Sequence, residues 1–115
     1  MREFDHIGLP TDDKQPNEMY VPDTKVWVTD PLAHPYRVEY LRFEPDSPVT
    51  GPVRDLPHIA FRIDNLDETI KGEEILLGPF EPTDTLRVAF ILKDGAVFEF
   101  MESSEPGHWF RGKEE

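Results

Sequence analysis

The 115-residue chain contains no cysteine, which excludes disulfides, thiolate nucleophiles and cysteine-held zinc or iron–sulfur sites together. Basic residues are scarce as well: 12 Lys and Arg stand against 24 Asp and Glu, a formal net charge of −12. Phosphate-backbone binding needs clustered Lys and Arg, so a nucleic-acid partner is not expected. Long hydrophobic runs are missing too. Val88-Ala-Phe-Ile-Leu92 is the longest, far short of the roughly 18 residues of a membrane span. Met1-Arg-Glu-Phe-Asp5 lacks the charged-then-apolar pattern of a secretory leader. The expectation is a cytoplasmic protein with no membrane partner, in which any metal is held by His and carboxylates.

Proline is plentiful, with 12 residues that fall between periodic segments. Those segments predict strands at Phe4–Leu9, Lys25–Thr29, Tyr36–Phe43, His58–Ile63, Leu86–Leu92 and Ala96–Glu102, on their Val, Ile, Phe, Tyr and Trp content. Asp94-Gly95 supplies the positive-φ residues of a tight hairpin between the last two. One helix is predicted over Asn65–Gly72, where Asn65 and Glu68 have capping-box spacing and Gly72 stops it. Asp12–Asp23 carries Pro16 and Pro22 and is expected to be loop. Pro45–Pro57 reads as a turn-rich linker, and the polar tail as loosely ordered.

The two halves repeat each other. Asp5-His-Ile-Gly-Leu9 matches Pro57-His-Ile-Ala-Phe61, and Arg37-Val-Glu-Tyr-Leu41 matches Val97-Phe-Glu-Phe-Met101. Lys25-Val-Trp-Val28 is matched to Arg87-Val-Ala-Phe90. Each half therefore opens on a strand with a mid-strand His and closes on one with a mid-strand Glu. Strand alternation puts His6 on a face with Phe4 and Gly8, and Glu99 on a face with Val97 and Met101. His58 and Glu99 then lie away from the apolar stripe that the helix covers. In the first half Val38, Tyr40 and Arg42 oppose Glu39, a wetter face that suits a missing helix.

These residues resemble the vicinal oxygen chelate (glyoxalase/bleomycin-resistance/dioxygenase) superfamily. The resemblance is carried by Phe4-Asp-His-Ile-Gly-Leu9, by Pro57-His-Ile-Ala-Phe-Arg-Ile-Asp-Asn-Leu-Asp67 and by Asp94-Gly-Ala-Val-Phe-Glu-Phe-Met-Glu102. It implies an α+β fold of paired βαβββ modules, curved mixed sheets around a cleft, with the first module lacking most of its helix. The implied organisation is one domain over 1–115: module one at 3–45, linker at 46–56, module two at 57–103 and tail at 104–115. It further implies one divalent ion (Zn, Ni, Co, Mn or Fe) held by His6, Glu39, His58 and Glu99. Two imidazoles and two carboxylates suit such borderline ions. Glu102, three residues past Glu99, points to the other strand face and fits less well.

The function implied is a metal-dependent lyase, isomerase or epimerase acting on a small oxygenated metabolite by chelation and proton transfer. Either Glu99 or Glu39 would be the catalytic base. Two alternatives stand beside it: an Fe²⁺ dioxygenase that uses two His and one carboxylate, and a metal-free small-molecule binder of the same fold. Arg37 and Arg62 could clamp a substrate carboxylate, or could pair with one of the many acidic residues. His34 and Tyr36 could border the cleft mouth, Trp27 suits packing or an interface, and His108 in the tail should be inert. A first sheet without its helix leaves Trp27 and Tyr40 exposed, so a homodimer is expected.

Overall fold

The computed structural model describes residues 2–104. It is mostly strand, with few helices, and its strands form one curled mixed sheet, a half-barrel. In chain order these are β1 (Arg2–Pro10), β2 (Met19–Val21), β3 (Val26–Val28), β4 (Val38–Phe43), β5 (His58–Ile63), β6 (Glu74–Thr83), β7 (Leu86–Lys93) and β8 (Ala96–Ser103). Two short helices, α1 (Pro52–Asp55) and α2 (Leu66–Thr69), and a single 3₁₀ turn at Pro31–Ala33 accompany them. No helix among the described residues is long and apolar enough to cross a membrane. The tail after Ser104, with His108, lies outside the described residues.

The strand order is β2-β3-β4-β1-β5-β8-β7-β6. Parallel pairing joins β1 to β4 and β5 to β8, and the antiparallel pair β1–β5 closes the middle. The two parallel pairs share one register: Ile7 faces Val38 as Ile59 faces Phe98, and Gly8 faces Glu39 as Ala60 faces Glu99. At the centre Ile7 pairs with Ile59, flanked by Gly8 with His58 and by His6 with Ala60. The sequence match between β3 and β7, by contrast, is displaced by two residues. Val28 partners Leu41 and Val88 partners Met101, so Val28 corresponds to Val88 rather than to Phe90. Side-chain facing survives the shift because the strand period is two.

The apolar side chains divide as alternation requires. On one face Leu66, Ala89, Ile91 and Phe100 pack with Phe61 and Phe98 under α2. Asn65 caps α2 by accepting the Glu68 N–H at 3.1 Å, and the helix proper ends at Thr69, shorter than its signals suggest. The concave face holds Ala60, Leu86, Val88, Phe90, Val97 and Met101, and a smaller cluster of Val21, Val26, Val28 and Leu41. The hairpin at Asp94 (φ 54°) and Gly95 (φ 79°) joins β7 and β8.

Three elements depart from the sequence expectation. β6 was not anticipated, because Gly78, Pro79 and Pro82 break its pattern; as the outermost strand it tolerates prolines that an inner strand would not. β2 forms inside the expected loop Asp12–Asp23. The stretch between the halves is more than a linker, since its Val49 and Val53 are each only 4% exposed and belong to the concave core.

Candidate metal centre

The central register explains why four distant residues meet. Cross-strand neighbours share a face, so Glu39, Gly8 and His58 make one row across β4, β1 and β5. His6, Ala60 and Glu99 make a second row across β1, β5 and β8. Each row sets two functional side chains on either side of a very small one, so they can lean together over it. The spacing is tight: a Cβ on Gly8 would lie 2.1 Å from Cε1 of His58. Gly8 is thus part of the site, and its signal in the sequence was only its place two residues after His6.

His6 and His58 are 1% exposed, Glu39 4% and Glu99 8%. The imidazoles meet edge to face with centroids 5.6 Å apart. Nε2 of His6 lies 3.3 Å from Oε1 of Glu39 and 3.4 Å from Oε1 of Glu99. Nε2 of His58 lies 3.1 Å from Oε1 of Glu99 and 4.0 Å from Oε1 of Glu39. Both Nε2 atoms are buried without a hydrogen-bond partner among the described residues. Ligands about 2.0–2.2 Å from one ion, at the angles of tetrahedral or octahedral coordination, stand about 3–3.5 Å apart. Three of the four contacts fall in that range. His6, Glu39 and His58 form a buried group that could hold a metal ion, and Glu99 touches both imidazoles.

The two imidazoles are supported differently. β1 shifts register between Phe4 and His6, so Asp5 is an extra residue opposite β5. In a regular strand adjacent side chains diverge; here Asp5 Oδ2 meets the neighbouring His6 Nδ1 at 2.7 Å. The same shift aligns Phe4 with Phe61, their rings 6.4 Å apart, so Phe4 leaves the His6 face on which alternation put it. Arg62 and Arg37 reach Oδ1 of Asp5 at 3.3 and 3.6 Å, and Arg37 Nε donates to the Asp5 carbonyl at 2.6 Å. Of the two sequence readings of these arginines, the structure shows the acidic pairing. His58 follows Pro57, and its Nδ1 has no hydrogen-bond partner. Its ring rests against Gly8 and stands edge-on to Phe90, centroids 5.1 Å apart.

Charge reflects this enclosure. Burial works against protonation of His6, but the Glu39 charge and the carboxylates of Asp5, Glu39 and Glu99 prevail and hold its pKa well above the ordinary value. Burial likewise disfavours ionised Glu99, yet the close imidazoles of His58 and His6 bring its pKa down to about 2. Two carboxylates and two imidazoles buried together are costly unless positive charge, on a protonated imidazole or a bound cation, balances them.

The cleft beside them has a volume of about 70 Å³ and is lined by Glu39, His58, Glu99, Val49, Val53 and Phe90 among others. Other sequence candidates lie elsewhere. Glu102 accepts the Leu66 N–H at 3.0 Å on the helix face. His34 lines a separate 730 Å³ depression with Val38 and Tyr40, on the face opposite Glu39, and Tyr36 is 79% exposed; neither borders the cleft. Trp27 is packed within the chain, between Tyr20 and the Arg42 guanidinium, and donates to Glu44 at 2.6 Å.

No protein-family model matches the sequence, and no curated protein does. Among solved structures, the chain is similar in fold to a hypothetical protein from Bacillus halodurans C-125, with a TM-score of 0.64 and 19% identity over 93% of this chain and 98% of that one.

Proposed function

We propose that the chain is a divalent-metal protein of vicinal oxygen chelate type, built from two βαβββ-like modules. His6, Glu39, His58 and Glu99 would hold one ion, and the activity would be a lyase, isomerase or epimerase reaction on a small oxygenated molecule. The observation that carries this reading is the pair of buried imidazole Nε2 atoms, unpartnered and both turned toward carboxylate oxygens at coordination spacing. The shared register of the two halves supports the duplicated architecture. A bound divalent ion supplies Lewis-acid stabilisation of charge on substrate oxygen. The chain's own contribution is a cleft with a mostly apolar wall, an imidazole fixed by Asp5, and a carboxylate, Glu99 or Glu39, that can move a proton at the neighbouring carbon.

Elemental analysis of protein purified without chelator, followed by calorimetric titration with Ni²⁺, Zn²⁺ and Mn²⁺, tests the reading. Near-stoichiometric uptake that His58→Ala abolishes is expected. Less than about a tenth of an equivalent, with no heat of binding for any of the three ions, overturns it. Glu39→Gln distinguishes four-ligand coordination, where affinity drops sharply, from a facial triad, where it does not.

A further inference from the structure

We infer that the cleft beside the candidate centre takes a small, neutral molecule with an apolar body, one that offers oxygen atoms to the ion and carries no phosphate, carboxylate or other charge at its far end. The inference rests on the metal reading above and narrows its substrate class. Beyond Glu39, His58 and Glu99, Thr24 is the one polar residue lining the cleft among the described residues; the remaining wall is aliphatic and aromatic, including Val28, Leu41, Val53, Leu77 and Phe80. No Lys or Arg among the described residues lines it.

The nearby cations among the described residues are committed elsewhere. Arg37 and Arg62 hold Asp5, Lys25 pairs with Asp46 at 2.6 Å, and Arg42 forks onto Glu18 at 2.6 and 2.9 Å. Arg54 lies over the Phe43 ring and lines a different depression with Asp12 and Asp55. A charged substituent entering this cleft would lose its hydration, and at the end away from the ion it would meet no Lys or Arg among the described residues, against the repulsion of a chain with net charge −12. An apolar substituent gains by the same burial. The cleft's 70 Å³ is room for about five waters, which limits the body to a few carbon atoms.

The test uses two isosteric chelating probes, isovalerohydroxamic acid and malonomonohydroxamic acid, which differ only in an isopropyl group against a carboxylate. Uptake of Ni²⁺ is first measured by calorimetry, and each probe is then titrated into the loaded protein. The isovaleryl probe is expected to bind at least about tenfold tighter. Thr24→Lys, which places a cation at the one polar position of the wall, is expected to narrow that gap by about threefold or more. Equal binding, or preference for the carboxylate probe, overturns the inference while leaving the metal reading intact, as does Ni²⁺ uptake with neither probe bound. Failure to take up Ni²⁺, Zn²⁺ or Mn²⁺ overturns both.

Discussion

His6 and His58 occupy matching positions in the two halves, yet they are kept in place by different physics. His6 is held electrostatically: a strand irregularity turns Asp5 onto its Nδ1, and two arginines fix Asp5 in turn. His58 is held sterically, between the bare backbone of Gly8 and the edge of Phe90, with Pro57 where its counterpart has Asp5. Two histidines at equivalent register positions thus need only their final geometry to be preserved, and each can secure that geometry from whatever its neighbourhood offers.

The contrast can be broken most severely at Gly8. Gly8→Ala drives a methyl group into the His58 ring, and should remove metal binding together with about 1–3 kcal/mol of stability, read by calorimetry and thermal melting. The mirror change, Ala60→Gly, creates no clash and should cost at most about 1 kcal/mol, with metal binding retained. Asp5→Asn weakens only the electrostatic side: metal affinity should fall about 10–100-fold while the fold survives.

Protonation sharpens the comparison further. His6 has a raised pKa, so its contribution to the metal-free fold is fully present below about pH 6.5, the unfolded value, and is lost as pH rises through the higher folded one. The stability advantage of metal-free parent protein over His6→Gln should therefore shrink in melts run at increasing pH above that point. Glu99 has the opposite sign. Its folded pKa of about 2 gives stability above about pH 4.3 that disappears as pH falls toward 2. Ion uptake requires neutral imidazoles, so titrations from pH 6 to 8 should show affinity rising. The smallest effect is expected for Pro57→Asp. β5 has no register shift there, so the new carboxylate is not turned onto His58 and affinity should stay within about threefold of the parent.

The site's four central residues were legible because mid-strand His and Glu recur at equivalent places, and period-2 alternation fixes their facing without any tertiary knowledge. What escaped was whatever depends on a change of period or on neighbours. The irregularity at Asp5 leaves no local mark, so neither the Asp5–His6 contact nor the outward turn of Phe4 could be read. Gly8 looked like one glycine among seven until its cross-strand partner was known. β6 hid behind prolines that only an outermost position makes harmless. Arg37 and Arg62 could be read either as a clamp for a substrate carboxylate or as partners of an acidic residue, and which acid they meet is decided by the fold.

The peptide that joins the two halves also forms part of the cavity wall, because Val49 and Val53 line it together with Glu39 and Glu99. An ion at the proposed centre would have this apolar wall beside it, so its release would depend on how the wall packs as well as on the strength of its bonds. Metal content followed over several dialysis times would then be as informative as the quantity first recovered.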